Sequence, residues 1–290
     1  MNKFLTIIIP SYRSKYLVLS HIKNLYNKYK IIIVENSYDQ SLKEIIKKKY
    51  KNVDIFLKKN IGYGSAVNFA SKKVKTKFFF VMNPDVKLKS NTLKNLINVA
   101  KNIPHFGAIG PINLNQKKKY KNIIVERKKL IAAAMLLQTG TFKKINGYDE
   151  NFFLYYEDDD FFTRCNSLKL KLYLITNSLF DHVKYQKKIN TLSLHSTTFS
   201  NYDEKKSTFV VGGWHGQWSK FYFIKKHNGL FIALLKCFPN FLLNLFQIFP
   251  YFLLNPTKAK YKYFKIEGFI CSLIGTSSFK RSKFDKKYIY

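Results

Sequence analysis

Phe78-Phe79-Phe80-Val81-Met82-Asn83-Pro84-Asp85 (residues 78–85) decides how the chain folds: five apolar residues in a row, then a turn that delivers a carboxylate. A run this short and uniformly apolar reads as a strand covered on both faces, as in a parallel sheet. Three similar runs precede it. Phe4-Leu5-Thr6-Ile7-Ile8-Ile9 stops at Pro10-Ser11, Ile31-Ile32-Ile33-Val34 ends at Glu35-Asn36-Ser37, and Asp54-Ile55-Phe56-Leu57 leads into Asn60. Helical spacing fills the gaps, at 16–29, around 41–50 and after Gly64. The pattern is βαβαβαβ, which predicts an α/β fold with an open, right-handed parallel sheet.

Ligands of such sheets sit beyond the carboxyl ends of the strands. Ser11, Glu35, Asn60 and Asp85 all fall there, so they are expected to line one cleft. Asp85, aimed by a rigid proline turn, is placed to hold a divalent ion that bridges two phosphates. Asn60-Ile61-Gly62-Tyr63-Gly64-Ser65-Ala66-Val67-Asn68 supplies glycines for close backbone approach at a helix start, where a phosphate or sugar is favoured. No dinucleotide fingerprint and no P-loop lysine pattern occurs.

Further on the signals thin out. A helix is expected near 91–101, strands at 108–110 and 172–175, a lysine-rich loop at 115–129 and an apolar segment at 130–137. The Ser/Thr/Lys-rich stretch from about 186 to 210 is the best candidate for a mobile loop. His182, after the later strand, is a candidate to complete a metal shell with Asp85.

Charge is distributed very unevenly. The 290 residues carry 51 Lys+Arg against 17 Asp+Glu, a formal charge of +34. Only four of the bases are arginine, and base-edge readers lean on arginine's bidentate fork, so a specific nucleic-acid partner is disfavoured. Against this background six acids crowd into Asp149–Asp160. Acids in the first turn of a helix starting near Glu157 are favoured by the dipole. That accounts for one or two of them. Four in a row, flanked by aromatics, point to a general base with a supporting neighbour.

Three cysteines without C-x-x-C spacing argue against a disulfide scaffold, and no signal-peptide pattern follows Met1, so a reducing cytoplasm is expected. Residues 230–254 are apolar but interrupted by Lys236, Pro239, Asn240, Asn244, Gln247 and Pro250. The two prolines predict several short helices. With lysines on both sides, these suit an in-plane anchor on an anionic membrane. The competing reading packs them on the core or on a homodimer partner.

The ordered blocks T-I-I-I-P-S-Y (6–12), I-V-E-N-S (33–37), N-I-G-Y-G-S-A-V-N (60–68), N-P-D-V (83–86), I-N-G-Y-D-E-N-F-F-L-Y-Y-E-D-D-D-F (145–161) and D-H (181–182) resemble glycosyltransferase family 2, most closely its rhamnosyltransferase-like branch. The resemblance covers roughly residues 4–185. It implies a GT-A (Rossmann-like) domain, placed over 1–210; the apolar, lysine-fringed remainder, 211–290, is expected to be a helical membrane-associating region. The resemblance also implies inverting transfer of a deoxyhexose such as rhamnose from a nucleotide-diphosphate sugar to a lipid-linked or cell-surface polysaccharide, at the inner face of a bacterial membrane.

By matching positions, Asp158 is the implied base, with Glu157 and Asp160 supporting. Pro10, Ser11, Glu35, Asn60, Gly62, Tyr63, Asn68 and Asn83 fall in the nucleotide-sugar set. Glu35 stands where the family usually has an aspartate that reads a pyrimidine base. Asp85 ends the D-x-D metal motif, Asn83 occupies its first position, and His182 matches a family ligand for Mg²⁺ or Mn²⁺. Asp159 has no implied role. The alternative reading is a nucleotide-sugar fold that binds at a membrane without catalysis.

Overall fold

The computed structural model describes residues 2–116, 120–182, 202–282 and 285. The chain divides into two compact units. One holds Met1–Ile61, Ser65–Tyr148 and the chain from Phe161 through the last strand; the other holds Gly62–Gly64, Asp149–Asp160 and the C-terminal helices.

The first unit begins as its sequence pattern predicts: β1 (Leu5–Ser11), α1 (Lys15–Leu25), β2 (Lys30–Glu35), α2 (Gln40–Lys49), β3 (Val53–Leu57), α3 (Tyr63–Ser71) and β4 (Phe78–Met82). β1 pairs in parallel with both β2 and β4, and β2 with β3. Every residue of β1 and β4 is buried, which is why neither strand shows a polar alternation. Removing each such Ile or Phe from water contributes roughly 2 kcal/mol, more than strand propensity can. The helices read locally. Asp39 caps α2 by accepting from the Leu42 amide at 3.0 Å, while Lys47, Lys48 and Lys49 close its negative end.

Beyond β4 come β5 (Val86–Leu88), α4 (Thr92–Asn102), β6 (Ala108–Asn113), β7 (Ile124–Arg127), β8 (Ala134–Gln138), α5 (Thr139–Lys144), α6 (Glu157–Ser167) and β9 (Leu172–His182). The nine-stranded sheet runs β3-β2-β1-β4-β8-β6-β9-β5, with β7 added against β9. β8 is antiparallel to β4 and to β6. Two expectations are corrected here. The lysine-rich loop at 115–129 contains β7, a short strand whose two apolar residues, Ile124 and Val125, are adjacent rather than alternating. Asp181 and His182 lie inside β9, not after it, because β9 runs on to pair with β5.

The second unit contains α7 (Tyr202–Asn228), α8 (Leu230–Leu254) and α9 (Pro256–Leu273). Part of the 186–210 stretch expected to be loop is therefore the start of α7; residues 186–201 lie outside the described chain. α8 is one helix of 25 residues with Pro239 and Pro250 inside it, not several short ones. An interior proline costs about 3 kcal/mol through a lost hydrogen bond and a clash with the preceding turn. Packing offsets this: Ala233 and Cys237 of α8 are buried with Phe221, Ile224 and Phe269 of its two neighbours. α7 and α9 approach backbone to backbone, since a Cβ on Gly268 would stand 2.3 Å from the Trp214 carbonyl oxygen.

Candidate active site

Strand order reverses between β1 and β4, and such a switch point opens a crevice at the carboxyl ends of the strands. Pro10 helps to open it. The β1–β4 ladder ends at Ile8 and Val81, so the amide that Pro10 lacks falls where β4 no longer needs a donor.

Ser11 and Glu35 are register partners at the ends of β1 and β2. Glu35 is fully buried; its carboxylate accepts from the Ser11 hydroxyl at 2.5 Å, the Ser37 amide at 2.8 Å and the Ser37 hydroxyl. Burial raises its pKa, and these bonds lower it only in part. The Arg13 amide donates to the same Ser37 hydroxyl at 3.1 Å. Glu35 thus ties together the loops after β1 and β2.

The turn after β4 is held from both sides. The Asn83 amide donates to the Ala133 carbonyl at 2.9 Å, and the Val86 amide donates to the Asn83 carbonyl at 3.1 Å. From α1, the His21 Nε2 lies 2.7 Å from the Pro84 carbonyl. Burial is the largest influence on His21 and lowers its pKa, against the Pro84 bond and the Asp85 charge. A neutral ring protonated at Nε2 donates to that carbonyl and steadies the turn that carries Asp85. Sequence reading missed His21, because nothing local distinguishes it from any helical histidine.

Asn83 Oδ1 is buried without a hydrogen-bond partner, and Asp85, two residues on in the same turn, is half-buried. β5 pairs Val86 with His182, so the His182 backbone runs level with the residue after Asp85; its side chain lies outside the described atoms. Among the described residues no three His, Cys, Asp or Glu side chains gather into a closed metal cage. An orphaned amide oxygen in the same turn as a carboxylate fits a different arrangement. Hard oxygen donors in small number suit Mg²⁺ or Mn²⁺ that takes its remaining ligands from phosphate and water.

Asn60 is half-buried in the loop after β3. Asn68, expected among the ligand contacts, donates Nδ2 to the Tyr148 carbonyl at 2.8 Å and accepts the Tyr148 amide at 2.9 Å. Its amide holds the chain at Gly147-Tyr148. Gly147 has φ +59°, and a Cβ there would stand 2.4 Å from Asn68 Oδ1. Arg164 of α6 clamps the same stretch, donating to the Ile145 and Gly147 carbonyls, each at 2.7 Å.

In the second unit, Gly62 has φ +86°, and a Cβ there would meet the Phe153 carbonyl oxygen at 2.4 Å, so only glycine fits before Tyr63 opens α3. The acidic run begins α6. Immediately before it, Tyr155 and Tyr156 both adopt left-handed backbone (φ 68° and 67°), a strained pair of the kind concentrated at functional sites. Tyr156 packs on Phe223 of α7, ring centroids 5.4 Å apart, which helps hold that conformation.

The four carboxylates of α6's first turn have different surroundings. Asp160 is fully buried and paired with Lys226 Nζ at 2.6 Å and His227 Nε2 at 2.9 Å. Lys226 also reaches Asp149 at 2.7 Å, where Tyr222 and Asn151 donate as well. Burial pushes the Asp149 pKa up, but Lys226 and the other donors outweigh it, and the net shift is downward. Asp149, which had no sequence-assigned role, and Asp160 thus share one lysine of α7. The sequence places that lysine only among the bases flanking 230–254 and gives it no acidic partner, because one base among 51 carries no local signal of what it pairs with. Asp158 is half-buried and accepts the Asp159 amide at 2.9 Å. Glu157 is buried, and its Oε2 has no hydrogen-bond partner. Burial, then the charges of Asp158 and Asp159, pushes its pKa up to about 8.

That shift makes a pH prediction. Near pH 5 to 8 the unfolded chain ionises Glu157 while the folded chain keeps its proton, so the wild type loses stability as pH rises through this window. Glu157→Gln escapes the loss. Its stability relative to wild type is expected to grow from pH 5 to 8, by at most about 1.4 kcal/mol per pH unit, and to level off above 8. Urea unfolding of both proteins across that range measures this; a pH-independent difference would refute it.

The sequence profile described as glycosyl transferase family 2 matches residues 6–173. No curated protein matches the chain in sequence. Solved structures share its fold at low identity. The Pyrobaculum calidifontis mannosyltransferase PcManGT, in complex with GDP-Man and Mn²⁺, superposes with a TM-score of 0.57 at 11% identity, over 93% of this chain and 86% of its own. GalNAc-T7 with UDP, GalNAc and Mn²⁺ gives 0.55 at 15% identity over 77% of this chain, which spans only 51% of that longer protein. S. aureus TarS 1-349 with UDP-GlcNAc gives 0.51 at 16% identity, over 94% and 92% of the two chains.

Proposed function

Because the chain belongs to glycosyl transferase family 2 and carries the GT-A α/β fold, we propose that it transfers a sugar from a nucleotide-diphosphate donor, with inversion, to a lipid-linked or cell-surface polysaccharide. The observation that carries this reading is the Asn83-Pro84-Asp85 turn at the β1/β4 switch point, braced by His21 and carrying a buried, orphaned amide oxygen with a carboxylate two residues on. Neighbours bound to GDP-Man or UDP-GlcNAc support a donor of this class. The motif resemblance favours a deoxyhexose such as rhamnose.

Asp85 and Asn83, with His182, are the residues that would hold Mg²⁺ or Mn²⁺, which when bound neutralises the diphosphate leaving group. The chain's own chemistry rests on the first turn of α6. With its pKa at about 8, Glu157 keeps its proton at neutral pH and so adds no second charge beside Asp158. Asp158 takes the proton of the acceptor hydroxyl as that oxygen bonds to the anomeric carbon; the sugar–phosphate C–O bond breaks, and the nucleoside diphosphate departs from the opposite face. One displacement inverts the centre.

A thermal-shift screen of nucleotide sugars, each with Mn²⁺ or with chelator, tests donor and metal together. A cognate donor at a hundred times its Kd contributes about 2.7 kcal/mol, expected as a rise of roughly 5–10 °C with metal and little with chelator. No shift with any nucleotide-diphosphate sugar would defeat the reading.

A further inference from the structure

Helix α8 is inside out. In a helix on a water-soluble protein the apolar stripe faces inward and the polar one outward. Here the residues turned inward include Asn240, Asn244 and Gln247: Asn244 is 2% exposed and donates to the Asn240 carbonyl at 2.5 Å, while Gln217 of α7 donates to Asn240 Oδ1 at 3.1 Å. The outward residues include Phe231, Leu235, Phe246, Phe249, Phe252 and Leu253, with Phe246 at 74% exposure. Only 17% of the most apolar window of this helix is buried inside the protein. Three of the four polar residues that break the apolar run in sequence, Asn240, Asn244 and Gln247, therefore point away from the exposed face, which keeps Lys236 among its hydrocarbon side chains. A contiguous apolar face of this size marks a docking surface.

We infer that the outward face of α8 lies in the headgroup–acyl boundary of an anionic bilayer, with the helix in the membrane plane. The inference stands apart from the catalytic reading. Length alone permits a crossing, since 25 residues reach about 37 Å against a hydrocarbon core of roughly 30 Å. The neighbours decide against it. α9 packs along α8, and Lys258 and Lys260 on it are exposed, with Lys262 and Lys265 half-exposed. Each lysine carried to the bilayer centre disfavours insertion by roughly a hundredfold. In the plane the same lysines stay among the headgroups, where each adds attraction to anionic lipid, and Lys236 can extend its amine to water along its aliphatic stem. A bilayer matches both the hydrocarbon face and its cationic border, whereas a second copy of this chain would bring an equally positive border against it.

Flotation of the full-length protein with phosphatidylcholine vesicles, alone or with 30% phosphatidylglycerol, tests the proposal. Binding is expected to be at least tenfold stronger with the anionic lipid. It is expected to fall at least tenfold in the triple variant Phe246→Glu, Phe249→Glu, Leu253→Glu, whose melting temperature should hold because these side chains are exposed. Depth is read from Phe246→Trp, which lipids carrying a nitroxide near the headgroup should quench more than lipids carrying it near the chain end. Three results would overturn the inference: no vesicle binding by the wild type, stronger quenching at the chain end, or a soluble dimer that the triple variant converts to monomer.

Discussion

Asp158→Asn is expected to lower the rate of sugar transfer by roughly 10²–10⁴-fold while leaving the donor-induced thermal shift unchanged. The change removes a proton acceptor and its charge but keeps the side chain's shape: asparagine can still accept the Asp159 amide, so that bond in the first turn of α6 survives. Asp159→Asn, one residue on, serves as the neighbour control and should transfer at close to the wild-type rate. Turnover of Asp158→Asn within fivefold of wild type would remove Asp158 from the role, and loss of donor binding would show that the substitution disturbed more than a proton.

Lys226→Met is expected to destabilise the fold by about 3–5 kcal/mol, roughly 6–15 °C in melting temperature. Lys226 is the shared counter-charge of Asp149 and of the fully buried Asp160. Taking it away leaves a buried carboxylate short of its cation, and that uncompensated charge costs more than the pair itself contributes. Adding Asp160→Asn should recover much of the loss, because a neutral amide can still bond His227. The double-mutant cycle separates an ionic network from simple packing: if Asp160→Asn gives no recovery, the charge argument fails.

The parts of this architecture set by short-range pattern were legible in the sequence. Three buried strands and one half-buried edge strand, β3, announced themselves through apolar runs with turns at their ends, and with them the location of Ser11, Glu35, Asn60 and Asp85. What stayed hidden depends on contacts made far along the chain. β8 reads as an apolar segment of undecided type until β4 and β6 bind both its edges. Pro239 and Pro250 predict breaks that packing overrides. Asn68 carries a motif position but holds Tyr148, eighty residues away. The acid cluster stood out against the lysine background, yet the same background hid what Lys226 pairs with, which only the folded chain reveals.

The place of β4 between β1 and β8 also bears on how the chain is made. β1 is available as soon as β4 leaves the ribosome, but β8 follows about fifty residues later. At typical synthesis rates that is roughly 3–10 s during which one edge of Phe78-Phe79-Phe80-Val81-Met82 is open. A short, uncharged, proline-free aromatic segment is the kind that stacks with copies of itself. Lys75 and Lys77 stand exposed just ahead of it and act as gatekeepers against that fate. Some of the lysine surplus thus works before the native sheet exists, protecting a nascent chain rather than a finished surface.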